Sequence, residues 1–575
     1  MELSPDNKIA GVLAPLFALR TESDLGIGDL EGLRQFIDWA AEIGFRLVQI
    51  LPINEMGGDH SPYNAISAVA LEPSTLYLAP GSPEDLTQAD FNEVIGQVDL
   101  DKLRKGPVKH GRVRKAKLAL LEKAFARFAQ RGAEEPAGFE AFCNEETAWL
   151  ADYAFFRALM EENGGREIWD QWKEEHRSPK AAREWIAAQS AEKQRQFNGR
   201  ARFFQYVQWV AFDQWKAARQ YAEERGVALM GDIPFGVNLY SADVYSRRDE
   251  FALEWSGGAP PEPYFKDDEF TQKWGQNWGI PLYRWDVMRG RHLDWWRWRV
   301  RGVRKIFHVF RIDHVLGFYR IYAFPWRPTR NAEFLPLSFE QMREKTGDAF
   351  PQFYPRDDST WENCEANRRE GEEYLRGVLE EARATRVVGE DLGTVPDYVR
   401  PSLRSLGIAG FKIPQWENHP DGRSISGADY QRLSVATYAT HDHKPLRAMW
   451  EEAFEEPSST KEQARQDLAK IAEFAGFPAP TAESDFDRDF YGPVMEALFR
   501  SESWIALVMI TDLLARKDRF NVPGTAASSN WSRRMGKTVQ GLKESRSVRK
   551  RMQAIRALLE KTGRTEPRIN TDLHG

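Results

Sequence analysis

Along much of the chain a helix with a 3.6-residue apolar stripe is followed by a glycine, a short apolar run and then polar loop residues. Leu33, Phe36, Ile37 and Ala40 form one such stripe, Gly44 is placed to stop it, and Leu47 to Leu51 read as a strand ending at Pro52. Phe204 to Arg225 reads as a helix terminated by Gly226, and Val227 to Met230 as the strand that delivers Gly231-Asp232-Ile233-Pro234. Tyr374, Leu375, Val378, Leu379 and Ala382 form a helix ahead of a strand at Val387 and Val388, which delivers Glu390. Val12 to Leu16, Ile306 to Ile312, Ile408 to Ile413, Leu433 to Tyr438 and Ile505 to Ile510 complete a set of eight predicted strands. Their runs are mostly continuous in apolar residues rather than alternating, as parallel strands covered by helices require.

This pattern predicts an α/β fold, a closed (β/α)8 TIM barrel, although an open doubly wound sheet produces the same pattern locally. The position of the carboxylates favours the barrel. Asp232, Asp313, Glu390 and Asp442 all fall at C-terminal ends of predicted strands, the rim where barrel enzymes keep their chemistry.

The pattern fails between Ser82 and Arg202, where a charge-rich stretch with Trp149, Tyr153, Phe156 and Met160 on one helical face reads as a helical insertion after the second strand. Asp243 to Tyr283, rich in Gly, Pro and aromatics, reads as a groove-lining insertion after the third strand, and Asp357 to Arg369 as a further excursion. The expected organisation is one catalytic barrel over residues 1–575 with insertions at 82–202 and 243–283 on its C-terminal rim. The C-terminal segment is basic, yet Val548, Met552, Ile555 and Leu559 keep helical spacing, which predicts an amphipathic helix packed on the barrel rather than a binding arm.

Composition narrows the function. A net charge of -7 over 575 residues, without a basic stripe, argues against nucleic acid as a partner. The chain has 20 Trp, whose indole faces suit sugar rings as well as protein cores. Cys143 and Cys364 are far apart and support neither a disulfide framework nor a zinc spacing, which predicts a reducing, cytoplasmic location. The apolar run Ile9 to Leu19 follows Glu2 and Asp6, contains Pro15 and lacks a small-residue cleavage site, so it reads as a buried strand and not as a signal segment. No run approaches membrane-spanning length.

Three carboxylate motifs remain: Arg311-Ile312-Asp313-His314, Val388-Gly389-Glu390-Asp391-Leu392-Gly393 and Ala439-Thr440-His441-Asp442. Asp313 reads either as a salt-bridged strand end or as a nucleophile held by Arg311, two residues earlier on the same strand face. Of the adjacent pair Glu390 and Asp391 only one can point into the barrel mouth. Glu390 fits a general acid whose pKa is raised by burial and by the neighbouring Asp313, and a surface pair capping the next helix is the alternative. Asp442, preceded by His441, can bind ring hydroxyls and stabilise an oxocarbenium-like transition state. Converging acids of unlike protonation on three strand ends are the apparatus for cleaving a glycosidic bond by a covalent route.

An ordered series of motifs along nearly the whole chain resembles the 4-α-glucanotransferases (amylomaltases, disproportionating enzymes) of glycoside hydrolase family 77. It runs through Gly11 to Leu19, Gly26-Ile27-Gly28-Asp29-Leu30, Gln49-Ile50-Leu51-Pro52, Ser61-Pro62-Tyr63, Gly231-Asp232-Ile233-Pro234 and Ser241-Ala242-Asp243-Val244. Gly258-Ala259-Pro260-Pro261, the stretch from Gln276 to Tyr283, the three carboxylate motifs, Asn521-Val522-Pro523-Gly524-Thr525 and Asn530-Trp531 continue it. The resemblance implies retaining transfer of an α-1,4-glucan segment, of the maltooligosaccharide or starch type, to the 4-hydroxyl of an acceptor sugar. Asp313 is then the nucleophile, Glu390 the general acid and base, and Asp442 the transition-state stabiliser. Tyr63 stacks on the ring beside the scissile bond, Asp232, Arg311, His314 and His441 bind its hydroxyls, and Gln276 and Trp278 line the groove. A loop-packing role for Trp278 is the other reading.

The mechanism requires no cofactor, and no metal-ligand cluster is expected. Two departures from the family pattern are the basic pair His443 and Lys444 after Asp442, bearing on the acceptor side, and the stretch Lys412 to Trp416, bearing on groove shape. An α-glucan hydrolase on the same barrel and a barrel that only binds glucan are the rival readings.

Overall fold

A computed structural model describes residues 3–131, 137–261, 268–419, 421–523 and 529–565. The eight expected parallel strands are present: β1 (Ile9–Leu13), β2 (Leu47–Gln49), β3 (Ala228–Pro234), β4 (Val309–Asp313), β5 (Arg386–Gly389), β6 (Gly410–Lys412), β7 (Ser434–Ala436) and β8 (Ile505–Met509). They pair in sequence order, and β8 returns to β1 with Ile9 opposite Ile505. The remaining gap, between β5 and β6, is bridged by Val388 opposite Ala409, with the Gly389 N–H donating to the Ala409 carbonyl at 2.9 Å. A cycle of parallel strands with helices outside is the barrel, not the open sheet.

Each strand follows from its sequence. The helix Leu30–Ile43 starts at Asp29, whose side chain accepts from the Gly32 N–H, and ends at Gly44 with φ of 108°, a left-handed stop that glycine adopts without a Cβ clash. β1 lies N-terminal to the expected Val12 to Leu16, because Pro15 has no N–H for a ladder and Leu16–Ala18 turn into a 3-10 segment. β3 runs past Met230 through Pro234, pairing Asp232 with Arg311 and Pro234 with Asp313. Gly231 permits this, since a Cβ there would meet the Phe307 ring at 2.4 Å.

The excursions hold more regular structure than their sequences suggested. Asp243 to Tyr283 contributes two strands, Phe251–Ala259 and Gln276–Tyr283, to an antiparallel rim sheet completed by Ile321–Phe324 and Gln352–Tyr354. Residues 262–267 of that stretch lie outside the described residues. Trp274, Phe324, Trp326, Phe334 and Met342 form a small core of their own beneath this sheet. Residues Asp357 to Arg369 are not an irregular excursion throughout, since one helix, Trp361–Ala382, starts within them.

Between β2 and β3 the chain is mainly helical, and its last helix, Ala191–Glu224, begins well before Phe204 because Ser190 caps it through the Lys193 N–H. Trp149, Tyr153, Phe156 and Met160 are all buried in the helix Thr147–Glu162. The C-terminal helix Arg546–Lys561 buries Met552, Ile555 and Leu559. No helix among the described residues is long and apolar enough to cross a membrane.

Candidate active site

Strand register sets the first part of the site. Asp232 on β3 lies opposite Arg311 on β4, and the buried Arg311 guanidinium reaches both Asp232 oxygens from Nη1, at 2.9 and 2.7 Å. Its Nη2 reaches Asp313 Oδ1 at 2.7 Å. The two aspartates and the arginine are therefore one ion cluster, with the fork geometry that lysine cannot supply. The Tyr63 hydroxyl donates to Asp232 Oδ2 at 2.6 Å. Burial, reinforced by the Asp232 anion, pushes the Tyr63 phenol well above its ordinary value, so it stays a neutral donor. Burial also pushes the Asp232 carboxyl up, against the pull of Arg311.

Glu390 follows β5, and its carboxyl Oε2 accepts the backbone N–H of His314 at 2.9 Å. That N–H belongs to the peptide that leaves Asp313, so the Glu390 carboxyl lies against the chain where Asp313 projects. His314 has φ of 48°, a left-handed conformation that costs a non-glycine residue about 1–2 kcal/mol. Burial pushes the Glu390 carboxyl up to about 8, with the Asp313 anion adding to the rise and Arg311 opposing it. Asp391 points elsewhere, accepting from the Phe411 N–H at 2.6 Å and from Arg400 at 3.1 Å, as side-chain alternation demands.

Asp442 lies on the loop after β7. Its Oδ1 accepts from Asn521 Nδ2 at 2.6 Å, its Oδ2 lies 3.2 Å from His441 Nε2, and Arg519 donates to its carbonyl at 2.7 Å. Burial works to raise this carboxyl, but His441 and the Asn521 hydrogen bond outweigh it and hold it well below the usual carboxylate range. Tyr63 stacks on His441 with ring centroids 5.0 Å apart, and Trp531 leans on both rings.

An unbroken line of contacts thus runs from Glu390 through the His314 peptide, Asp313, Arg311, Asp232, Tyr63 and His441 to Asp442. Trp278 meets the His314 ring edge-on at 4.8 Å and keeps 39% exposure, with its Nε1 donating to Gln276 Oε1 at 3.3 Å. All ten site residues expected from sequence are in or beside this line. Burial pushes the His314 imidazole down to about 4, leaving it neutral near pH 7.

Of the departing residues, His443 takes the Thr440 N–H on Nδ1 at 2.9 Å and meets Trp416 edge-on at 4.7 Å, while Lys444 pairs with Glu452 at 2.6 Å. Lys412 pairs with Glu417 at 2.9 Å. Asn521, Arg519 and Trp531 have no role predicted from sequence; Asn521 and Trp531 belong to the motifs that carry the family resemblance, whereas nothing in the sequence marks Arg519. Gly524 and Thr525 of the closing motif lie outside the described residues. Among the described residues no group of three or more His, Cys, Asp or Glu side chains could hold a metal ion.

Comparison with known proteins fits this geometry. The family model described as 4-alpha-glucanotransferase matches residues 14–539. A 4-alpha-glucanotransferase of Chlamydia caviae is 30% identical over 548 residues, covering 92% of this chain and 91% of that protein. One from Thermus thermophilus is 30% identical over 406 residues, covering 68% and 69%. The structure of an amylomaltase from Streptococcus agalactiae in complex with acarbose superposes with a TM-score of 0.71 at 21% identity, covering 97% of this chain and all of that one. An amylomaltase from Corynebacterium glutamicum does so with 0.73 at 21% identity, covering 96% and 75%. The match to the family model spans most of the chain, which belongs to the 4-alpha-glucanotransferases of glycoside hydrolase family 77.

Proposed function

We propose that this enzyme transfers α-1,4-glucan segments by retaining double displacement. Asp313 attacks the anomeric carbon while Glu390 gives its proton to the glycosidic oxygen, so the old C–O bond breaks as a glycosyl ester on Asp313 forms. Glu390, now a carboxylate, takes the proton of an acceptor 4-hydroxyl, whose oxygen attacks the same carbon and releases Asp313. Asp442, ionised, faces the positive charge that develops in each transition state. Tyr63 stacks on the sugar ring, Asp232, Arg311, His314 and His441 bind its hydroxyls, and Gln276 and Trp278 line the groove.

The observation that carries this reading is one contact line that sets Glu390 against the His314 N–H beside Asp313 and holds Asp442 between His441 and Asn521, surroundings that push the first carboxyl up and the second down and so make an unlike pair. A barrel that only bound glucan has no need of such a pair. Transfer in place of hydrolysis rests on the family membership. Neither Cys143 nor Cys364 takes part in a disulfide among the described residues, which supports a reducing compartment such as the cytoplasm. Incubation with maltotriose tests the reading: glucose together with longer maltooligosaccharides is expected, whereas a rise in total reducing ends without longer products makes the enzyme a hydrolase.

A further inference from the structure

We infer that His110, in the helical stretch between β2 and β3, is a positioning residue that sets the Trp531 wall of the active site. His110 begins the helix His110–Gln130, far in sequence from every residue of the catalytic line. Its Nε2 lies 2.9 Å from the Trp531 carbonyl oxygen, which can only accept, so Nε2 carries the proton and donates. Nearby, the Val108 N–H donates to the next carbonyl, that of Ser532, at 2.7 Å. Two consecutive peptides of the closing segment are therefore held by one short stretch of the insertion.

What they hold is strained. Trp531 has φ of 58°, a left-handed conformation that a bulky residue avoids at about 1–2 kcal/mol, and such strain persists only where surroundings impose it. In that conformation the indole lies 5.7 Å from the Tyr63 ring and 5.9 Å from the His441 ring. The other face of the same device is His60, three residues before Tyr63, which stacks on His110 with centroids 4.5 Å apart and planes 14° from parallel. His110 thus fixes the Trp531 backbone on one side and the Tyr63 loop on the other. It touches neither substrate nor reacting atoms, and acts through Trp531. Burial, which pushes its imidazole down to about 4, keeps it neutral and a single-proton donor at working pH.

The inference rests on the glucanotransferase reading, and wild-type disproportionation of maltotriose checks that reading first and separately. The variant His110→Phe keeps ring volume and the His60 stack but removes the donor, and His110→Gln restores a donor on a flexible chain. Expected is a fall of about tenfold in kcat for His110→Phe, since small misplacements of binding groups cost this much, with most of the loss recovered in His110→Gln. The double variant His110→Phe/Trp531→Ala is expected to be no slower than Trp531→Ala alone, a result that general loss of packing does not produce. Additive losses in the double variant, or a kcat for folded His110→Phe within twofold of wild type, overturn the inference. If His110→Phe fails to fold, a His110→Gln variant that folds yet loses as much kcat as Trp531→Ala overturns it equally.

Discussion

Arg311 reaches Asp313, two residues further along β4, with Nη2 2.7 Å from Oδ1, while its Nη1 holds Asp232 across the strand pair. Residues two apart on a strand face the same side, so the barrel places a guanidinium directly beside its proposed nucleophile. The same fork serves two carboxylates from two strands, and neither can move without the other.

Arg311→Lys is accordingly not conservative. A lysine presents a point charge that can face Asp232 or Asp313 but cannot hold both in fixed directions. A fall in kcat of about a hundredfold or more is expected from lost orientation, with the variant still folded by circular dichroism. Turnover within threefold of wild type removes Arg311 from this role.

Glu390 predicts a pH dependence. As the acid it must carry its proton in the first step, and a carboxyl raised to about 8 keeps that proton below this value and loses it as pH rises through it. The kcat/KM profile should therefore have an alkaline limb near pH 8, well above where an ordinary glutamate titrates. Glu390→Gln should abolish transfer from unactivated maltooligosaccharides, while a donor with a good leaving group, which needs no proton, should still form the glycosyl-enzyme. A flat profile from pH 6 to 9 in the wild type counts against Glu390 as the acid.

Asn521 donates to Asp442 Oδ1 at 2.6 Å, and with His441 it keeps that carboxylate ionised. Asn521→Ala removes the donor and lets the Asp442 pKa rise, so the acid limb of kcat should move to higher pH. Loss of a hydrogen bond to a charged group predicts a drop of about tenfold to a hundredfold in kcat. An unchanged acid limb with unchanged kcat shows that Asn521 only packs.

What could be read from sequence, and what could not, follows from the range of the forces involved. The eight barrel strands were legible because most are largely apolar runs, and ahead of β2 and β3 the helix carries its own cap and stop residues, Asp29 with Gly44 and Ser190 with Gly226. The position of Asp232, Asp313 and Glu390 at the C-terminal ends of strands, and of Asp442 on the loop after one, was legible because polar residues after apolar runs are conspicuous. The rim sheet was not, since Phe251–Ala259 pairs with Ile321–Phe324 across the whole of β4, and its glycines erase the alternating pattern. Nor was Asn521: an amide carries no charge to mark it, and its partner is 79 residues away. The boundary placed at Arg202 cut through the helix Ala191–Glu224, whose first turns are polar and owe their start to Ser190.

Arg564 closes the opposite end of the barrel from the site. It follows Gly563, whose φ of 69° turns the chain out of the C-terminal helix, and its guanidinium is fully buried. It donates to the carbonyls of Ile9, Phe499, Ser501, Ser503 and Trp504, all beside the N-terminal ends of β1 and β8. No carboxylate is among these hydrogen-bond partners, and burial pushes the guanidinium down to about 9, with Arg432 adding to the fall and Glu502 opposing it. Arg564→Met keeps much of the volume but leaves several buried carbonyls without donors, at about 1–3 kcal/mol for each that water cannot reach. A loss of stability of about 3 kcal/mol or more is expected from this mechanism, measured as a drop in the denaturant midpoint with the slope unchanged. Activity of the fraction that remains folded should stay near wild type, because Arg564 lies at the far end of the strands from Asp313 and Glu390. A variant as stable as wild type shows that the pairing of β1 with β8 holds that end without the clasp.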